Sequence, residues 1–176
     1  MRNESRRARG QGINPNRESL DTHKKNFTMA KKLYFARNKI KSGNLNHAET
    51  IYRKLINELI REIEDEEEEH CDHAQLAVST LLLALLLQRQ KQTTETRDVF
   101  VRFFRIIHQN EKEGVECACS AKVVQAFALF EMKEGRKKKS YRLAQMAVKM
   151  DPELEPLLSW KQFRDVAETV HSSWSI

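Results

Sequence analysis

The spacing of apolar residues divides the chain into helical segments joined by short polar breaks. From Leu20 on, apolar residues recur at Phe27, Ala30, Leu33, Tyr34 and Ile40, the spacing of one helix face. Asp21 or Thr22 can cap this helix, and Gly43 ends it because glycine tolerates positive φ. A second helix aligns Leu45, Ala48, Tyr52, Leu55 and Leu59, then runs into "EIEDEEEE". Repulsion among those acids, at a helix end whose dipole also disfavours them, predicts frayed last turns and a solvated acidic linker over 62–72. "AQLAVSTLLLALLLQR" is apolar almost all round, as a central helix covered on several sides would be. The apolar run is too short for a membrane span and is interrupted by Gln75, Ser79 and Thr80. "DVFVRFFRII" places Val99, Phe100, Phe103 and Ile106 on one face. After "QNEKEG", the segments "ECACSAKVVQAFALFEM" and "KSYRLAQMAVKM" form another pair. "DPELEP" opens a last amphipathic helix with Leu154, Leu157, Trp160, Phe163, Ala167 and Val170, its prolines suiting a first turn.

One spacing recurs through these pairs. Ala36, Gly43, Ala48, Tyr52 and Leu55 are matched in step by Ala128, Gly135, Ser140, Ala144 and Ala147. The same steps from Ala84 reach Lys91, Thr96, Phe100 and Phe103. Small residues let paired helices approach, glycine ends the first helix, and larger residues fill the groove between them. Three units on one template are a repeat signal, the alternative being a plain helical bundle with accidental periodicity.

This template resembles the tetratricopeptide repeat, in which a small residue, Gly, Ala, an aromatic, Ala and a helix-opening Pro follow in order. The third unit matches through Ala128, Gly135, Ser140, Ala147 and Pro152, with Ala144 in place of the aromatic; the first matches at Ala36, Gly43, Ala48 and Tyr52. The steps from Ala36 to Ala84 and from Ala84 to Ala128 both exceed the ~34-residue period of the family. The resemblance covers roughly residues 28 to 170 and implies an all-α fold: a short right-handed solenoid of three helical hairpins with a C-terminal capping helix. It also implies a groove lined by the first helix of each hairpin. Family members that clamp acidic chaperone tails carry Lys and Asn, then Asn, then Lys and Arg, at places where this chain has Leu33 and Arg37, then Leu81 and Leu85, then Gln125 and Leu129. That binding mode is therefore disfavoured.

Composition adds organisation. The 176 residues suffice for one domain with a sizeable core, and Gly and Pro are scarce. Residues 1–20 hold almost no apolar side chains and predict a disordered basic arm, leaving 21–176 as the repeat domain. The arm is Arg-rich but has no amphipathic stretch, so a transit peptide is the weaker reading, and no apolar run follows it as in a secretory signal. Three cysteines make no disulfide framework. The expected compartment is the cytoplasm. The net charge of +6 is unevenly spread, with a basic start, the acidic "EIEDEEEEHCD" and the basic "GRKKKSYR". Such patterning suits ionic docking to a protein as well as it suits nucleic acid.

Catalytic signatures are missing. There is no glycine-rich phosphate loop, nucleophile elbow or metalloprotease helix. The consecutive acids point all round a helix and do not converge. "HCDH" (His70, Cys71, His73) and Cys117 with Cys119 lack the two-residue gap of a zinc knuckle. The expectation is a non-enzymatic adaptor without cofactor or metal. Its groove would use Arg37, Lys41, Lys122 and Gln125, with the basic turn Arg136, Lys137, Lys138 and Lys139 alongside, to hold a peptide or helix of a protein partner, an acidic one included. The alternative is nucleic-acid association through the arm and the 136–139 turn.

Overall fold

A computed structural model describes residues 15–65, 73–110 and 118–172. Among them the regular elements are all helical: α1 (Pro15–Lys41), α2 (Leu45–Asp65), α3 (His73–Arg89), α4 (Thr93–Asn110), α5 (Ala118–Lys133), α6 (Lys137–Met150) and α7 (Lys161–Ser172). A 3-10 segment, Pro152–Ser159, separates α6 from α7. The first six helices form three consecutive hairpins, each joined by a tight turn.

The three turns are built alike. Gly43 has φ +78° and Gly135 has φ +77°; Lys91, at the matching place in the middle unit, has φ +60°. Each turn carries the same pair of reversed hydrogen bonds. Gly43 N–H reaches Ile40 O at 3.1 Å and Asn44 N–H reaches Lys39 O at 2.9 Å. Lys91 donates to Gln88 O and Gln92 to Leu87 O, both at 3.0 Å, and Gly135 and Arg136 do the same onto Met132 O and Glu131 O. This pairing satisfies carbonyls that a helix end would otherwise leave open. The middle turn therefore keeps the backbone of its neighbours even without glycine, at a cost of about 1 kcal/mol for the left-handed side chain.

The template positions are where the helices meet. Ala36, Ala84 and Ala128 are buried, as are Ala48, Thr96 and Ser140 on the facing helices. In the third hairpin Ser140 Oγ donates to Ala128 O at 2.6 Å, a contact that requires the two backbones to be close. Tyr52 and Leu55, then Phe100 and Phe103, then Ala144 and Ala147 fill the same places in turn, all buried. Phe100 stacks on Phe127 with ring centroids 4.9 Å apart, which carries the core from the second hairpin into the third. Leu154, Leu157, Phe163 and Val166 from the 3-10 segment and α7 are buried at the C-terminal end.

Several expectations change. Helix α1 begins at Pro15 rather than Leu20, with proline at a first-turn position where its missing N–H costs nothing. Residues 1–14 of the expected arm lie outside the described residues, as do 66–72 of the acidic linker, which includes His70 and Cys71, and Cys117. The last helix is two elements. Pro156 lies inside the 3-10 segment and cannot extend an α-helical ladder, and Trp160 takes an extended conformation before α7 starts. Trp160 is consequently exposed instead of core. On α1 the buried line runs through Ala36, with Met29, Leu33 and Ile40 partly buried, whereas Phe27 and Tyr34 point outward. Lysines at 24, 31 and 41 share the face of Phe27 and Tyr34, and burying that face would have desolvated them.

Candidate interaction surface

Helix α3 is covered by α2, α4 and α5, but not all round. Val78 is 45% exposed and Leu85 62%, one above the other two turns apart. Leu81 and Leu82 lie between them, partly buried. The helix is thus the central element its apolar pattern predicts, covered on several sides, with one edge left uncovered. Residues in the same register on the other first helices extend the strip. Leu85 is matched by Arg37 on α1 and Leu129 on α5, Val78 by Ala30 and Lys122, and Leu81 by Leu33 and Gln125. Arg37, Lys41 and Lys122 are exposed and Gln125 is partly buried.

The charge on these first helices is one-sided. From His23 to Lys41 helix α1 has no acid, α3 has none, and α5 has only Glu131, which is fully buried. The acids lie on the second helices: Glu58 and Glu62 of α2 pair with Lys32 and Lys25 of α1, the latter at 2.9 Å, and Glu95 of α4 takes Arg53 at 3.0 Å. These pairs tie the helices together and leave the first-helix strip apolar with a cationic border. Lys122 is partly engaged, its ammonium 3.2 Å from Asp151.

The basic turn has a different role. Glu131 lies two residues beyond Leu129 and so points ~200° around α5, away from the strip. Arg97 Nε and Nη2 donate to its two oxygens at 2.9 and 3.0 Å, and Lys139 Nζ donates at 2.8 Å. Arg136 adds an ion pair at 3.8 Å. Arg97 also covers the Phe130 ring and Lys139 the Phe127 ring, 5.4 and 4.7 Å from the centroids. Burial by itself would raise the Glu131 carboxyl, but the hydrogen bonds of Arg97 and Lys139, with their charges, hold it below the ordinary carboxylate value. The same hydrogen bond raises Arg97. Of the four basic residues at 136–139, two are thus directed onto an internal carboxylate, while Lys137 and Lys138 face solvent. Nothing local in the sequence marks Glu131 as buried, because its partners Arg97 and Lys139 come from two other helices.

A cleft between α2, α3 and α4 has an apolar floor of Ile56, Leu76, Leu83 and Phe103 and holds about 90 Å³, far below a cofactor site. At its rim Arg53 is held by Glu49 and Glu95, and Arg102 donates to Asn57 Oδ1 at 2.9 Å. Among the described residues no three His, Cys, Asp or Glu side chains gather to hold a metal ion, and no helix is long and apolar enough to cross a membrane. No protein-family model and no curated protein sequence matches the chain.

Proposed function

We propose that the protein is a non-enzymatic adaptor, a divergent repeat of the tetratricopeptide kind, that holds an acidic amphipathic helix or peptide of a protein partner on its first-helix strip. The uncovered Val78–Leu85 edge, bordered by cations and free of exposed acids, carries this reading. Two branched aliphatic side chains would meet the apolar face of a partner, while Arg37, Lys41 and Lys122 would meet carboxylates on its flanks. Rim charges of this kind speed encounter and choose the partner's sign more than they add affinity. The alternative of nucleic-acid binding at 136–139 is weakened by the two cations already directed onto Glu131.

Binding of a labelled helical peptide with Leu on one face and Glu on the other, compared with the same peptide carrying Lys for Glu, tests the proposal. The acidic peptide should bind and the basic one should not. Leu85→Asp should weaken binding about tenfold or more, the loss expected for a central apolar anchor. Equal binding of both peptides, or indifference to Leu85→Asp, overturns it.

A further inference from the structure

Helix α1 carries a second surface, on the side turned away from α2. Lys24, Phe27, Lys31, Tyr34 and Lys41 fall within ~60° of one line along this helix, at 3.6 residues per turn. Phe27 is 61% exposed and Tyr34 66%. Lys31 Nζ lies 4.4 Å from the Phe27 ring centroid, and on the flank Lys39 Nζ lies 4.8 Å from that of Phe35. The Phe35 ring also meets the His47 ring edge to face, centroids 5.9 Å apart, whereas Phe27 and Tyr34 keep most of their surface in solvent. Lys24, Lys31 and Lys41 have no carboxylate partner among the described residues, unlike Lys25 and Lys32 on the α2 side. From Lys24 to Lys41, about five turns of helix, the face therefore alternates cations that meet no acid among the described residues with exposed aromatic rings.

From this alternation we infer that the outer face of α1 binds single-stranded nucleic acid. A polyanion whose bases are free to unstack satisfies both halves of the pattern: phosphates meet Lys24, Lys31 and Lys41, and bases stack on Phe27 and Tyr34. The rings are seven residues apart, about 10 Å along the helix. A duplex hides its bases and would leave the rings unused. A membrane surface needs an unbroken apolar face, and here Lys31 stands between the two rings, so inserting both would bury an ammonium. A second copy of the chain would set like charges against each other. The face offers ring planes and ammonium groups, so RNA and DNA of equal length bind alike. Lys41 also borders the Val78–Leu85 strip, but Lys24, Phe27, Lys31 and Tyr34 lie outside it, so the inference stands whether or not that strip holds a peptide.

The test uses the full chain and fluorescently labelled oligo(U) and oligo(dT) of about 12 nucleotides, titrated at ~50 and ~200 mM salt. Both should bind at the lower salt and weaken at the higher. The Phe27→Ala/Tyr34→Ala variant should lose about tenfold or more with an unchanged thermal melt, since both side chains are exposed. Lys24→Gln/Lys31→Gln should flatten the logarithmic salt dependence by about 1.4, two phosphates' worth for a single strand. Leu85→Asp should leave nucleic-acid affinity unchanged, which separates this inference from the peptide reading. Absence of binding at ~50 mM salt overturns it. So does equal affinity for a duplex, indifference to loss of the two rings, or ring-dependent binding to anionic phospholipid vesicles in place of the oligonucleotides.

Discussion

The first and third hairpins handle their positive charge in opposite ways. In the third, the run at 136–139 looks from the sequence like the strongest basic patch of the molecule, yet Lys139 and Arg136 turn onto the buried Glu131. Together with Arg97 of α4 they fix the third hairpin to the second. In the first, α1 looks like an ordinary amphipathic helix, yet its outward lysines meet no acid among the described residues. The seams differ as well. The third hairpin closes on Ala128, Ser140, Ala144 and Ala147, whereas Ala36 and Ala48 in the first are joined by the bulkier Tyr52 and Leu55. Cation density along a sequence therefore says little about which cations are available. Availability depends on whether a carboxylate lies within reach: Lys25 and Lys32 face acids of α2, and Arg136 and Lys139 face Glu131, whereas Lys24 and Lys31 face none among the described residues.

Replacing the buried acid should produce the largest effect. Glu131→Gln leaves Arg97 without its countercharge and should cost about 3 kcal/mol, at the low end for a broken buried pair because Lys139 and Arg136 reach water. The sign with pH follows from its lowered carboxyl. Its stabilisation is fully present above the unfolded value of about 4.3 and is lost as the pH falls from there through the lower folded value. Urea melts across acidic pH should show wild-type stability falling steeply below about pH 4, with a flatter profile for the variant. A wild-type-like melt for Glu131→Gln at neutral pH would mean the cluster is not a clamp.

Overpacking the tight seam comes next. Ala128→Leu pushes a branched side chain against α6, where Ser140 Oγ already contacts Ala128 O, and should cost about 2 kcal/mol in the denaturation midpoint. Lys139→Ala should cost about 1 kcal/mol, since its ammonium bonds the buried carboxylate but is itself half in water. Lys138→Ala, one residue away and solvated, should change nothing measurable. A melt that treats the two lysines alike would erase the distinction drawn within the turn. The smallest effect belongs to α1: Lys24→Ala/Lys31→Ala should shift stability by less than about 0.5 kcal/mol, because these groups fold nothing in place.

Much of the fold was legible because it rests on local rules. Helical spacing places the apolar faces of α2 and α4, and two glycines with a small residue on each facing helix (Ala36 and Ala48, Ala128 and Ser140) mark where hairpins turn and touch. The surface was less legible. Val78 and Leu85 are indistinguishable by type from the buried leucines around them, and only the positions of α2, α4 and α5 decide which are covered. Phe27 and Tyr34 did carry a signal, the lysines sharing their face, which an all-apolar count of spacing overlooks.

What the sequence by itself determined is the set of helices and the hairpin order, since hydrogen-bonded turns and amphipathic periodicity depend on residues within a few positions of one another. The tertiary structure decided three things no local rule contains. Lys91 takes a glycine's conformation because the hairpins on either side, already packed, require that turn. Glu131 draws the basic turn inward because α4 brings Arg97 beside it. One edge of α3 stays open because no described helix reaches it. Each depends on groups far apart in the chain, and only close packing in three dimensions brings them within the few ångströms over which these forces act.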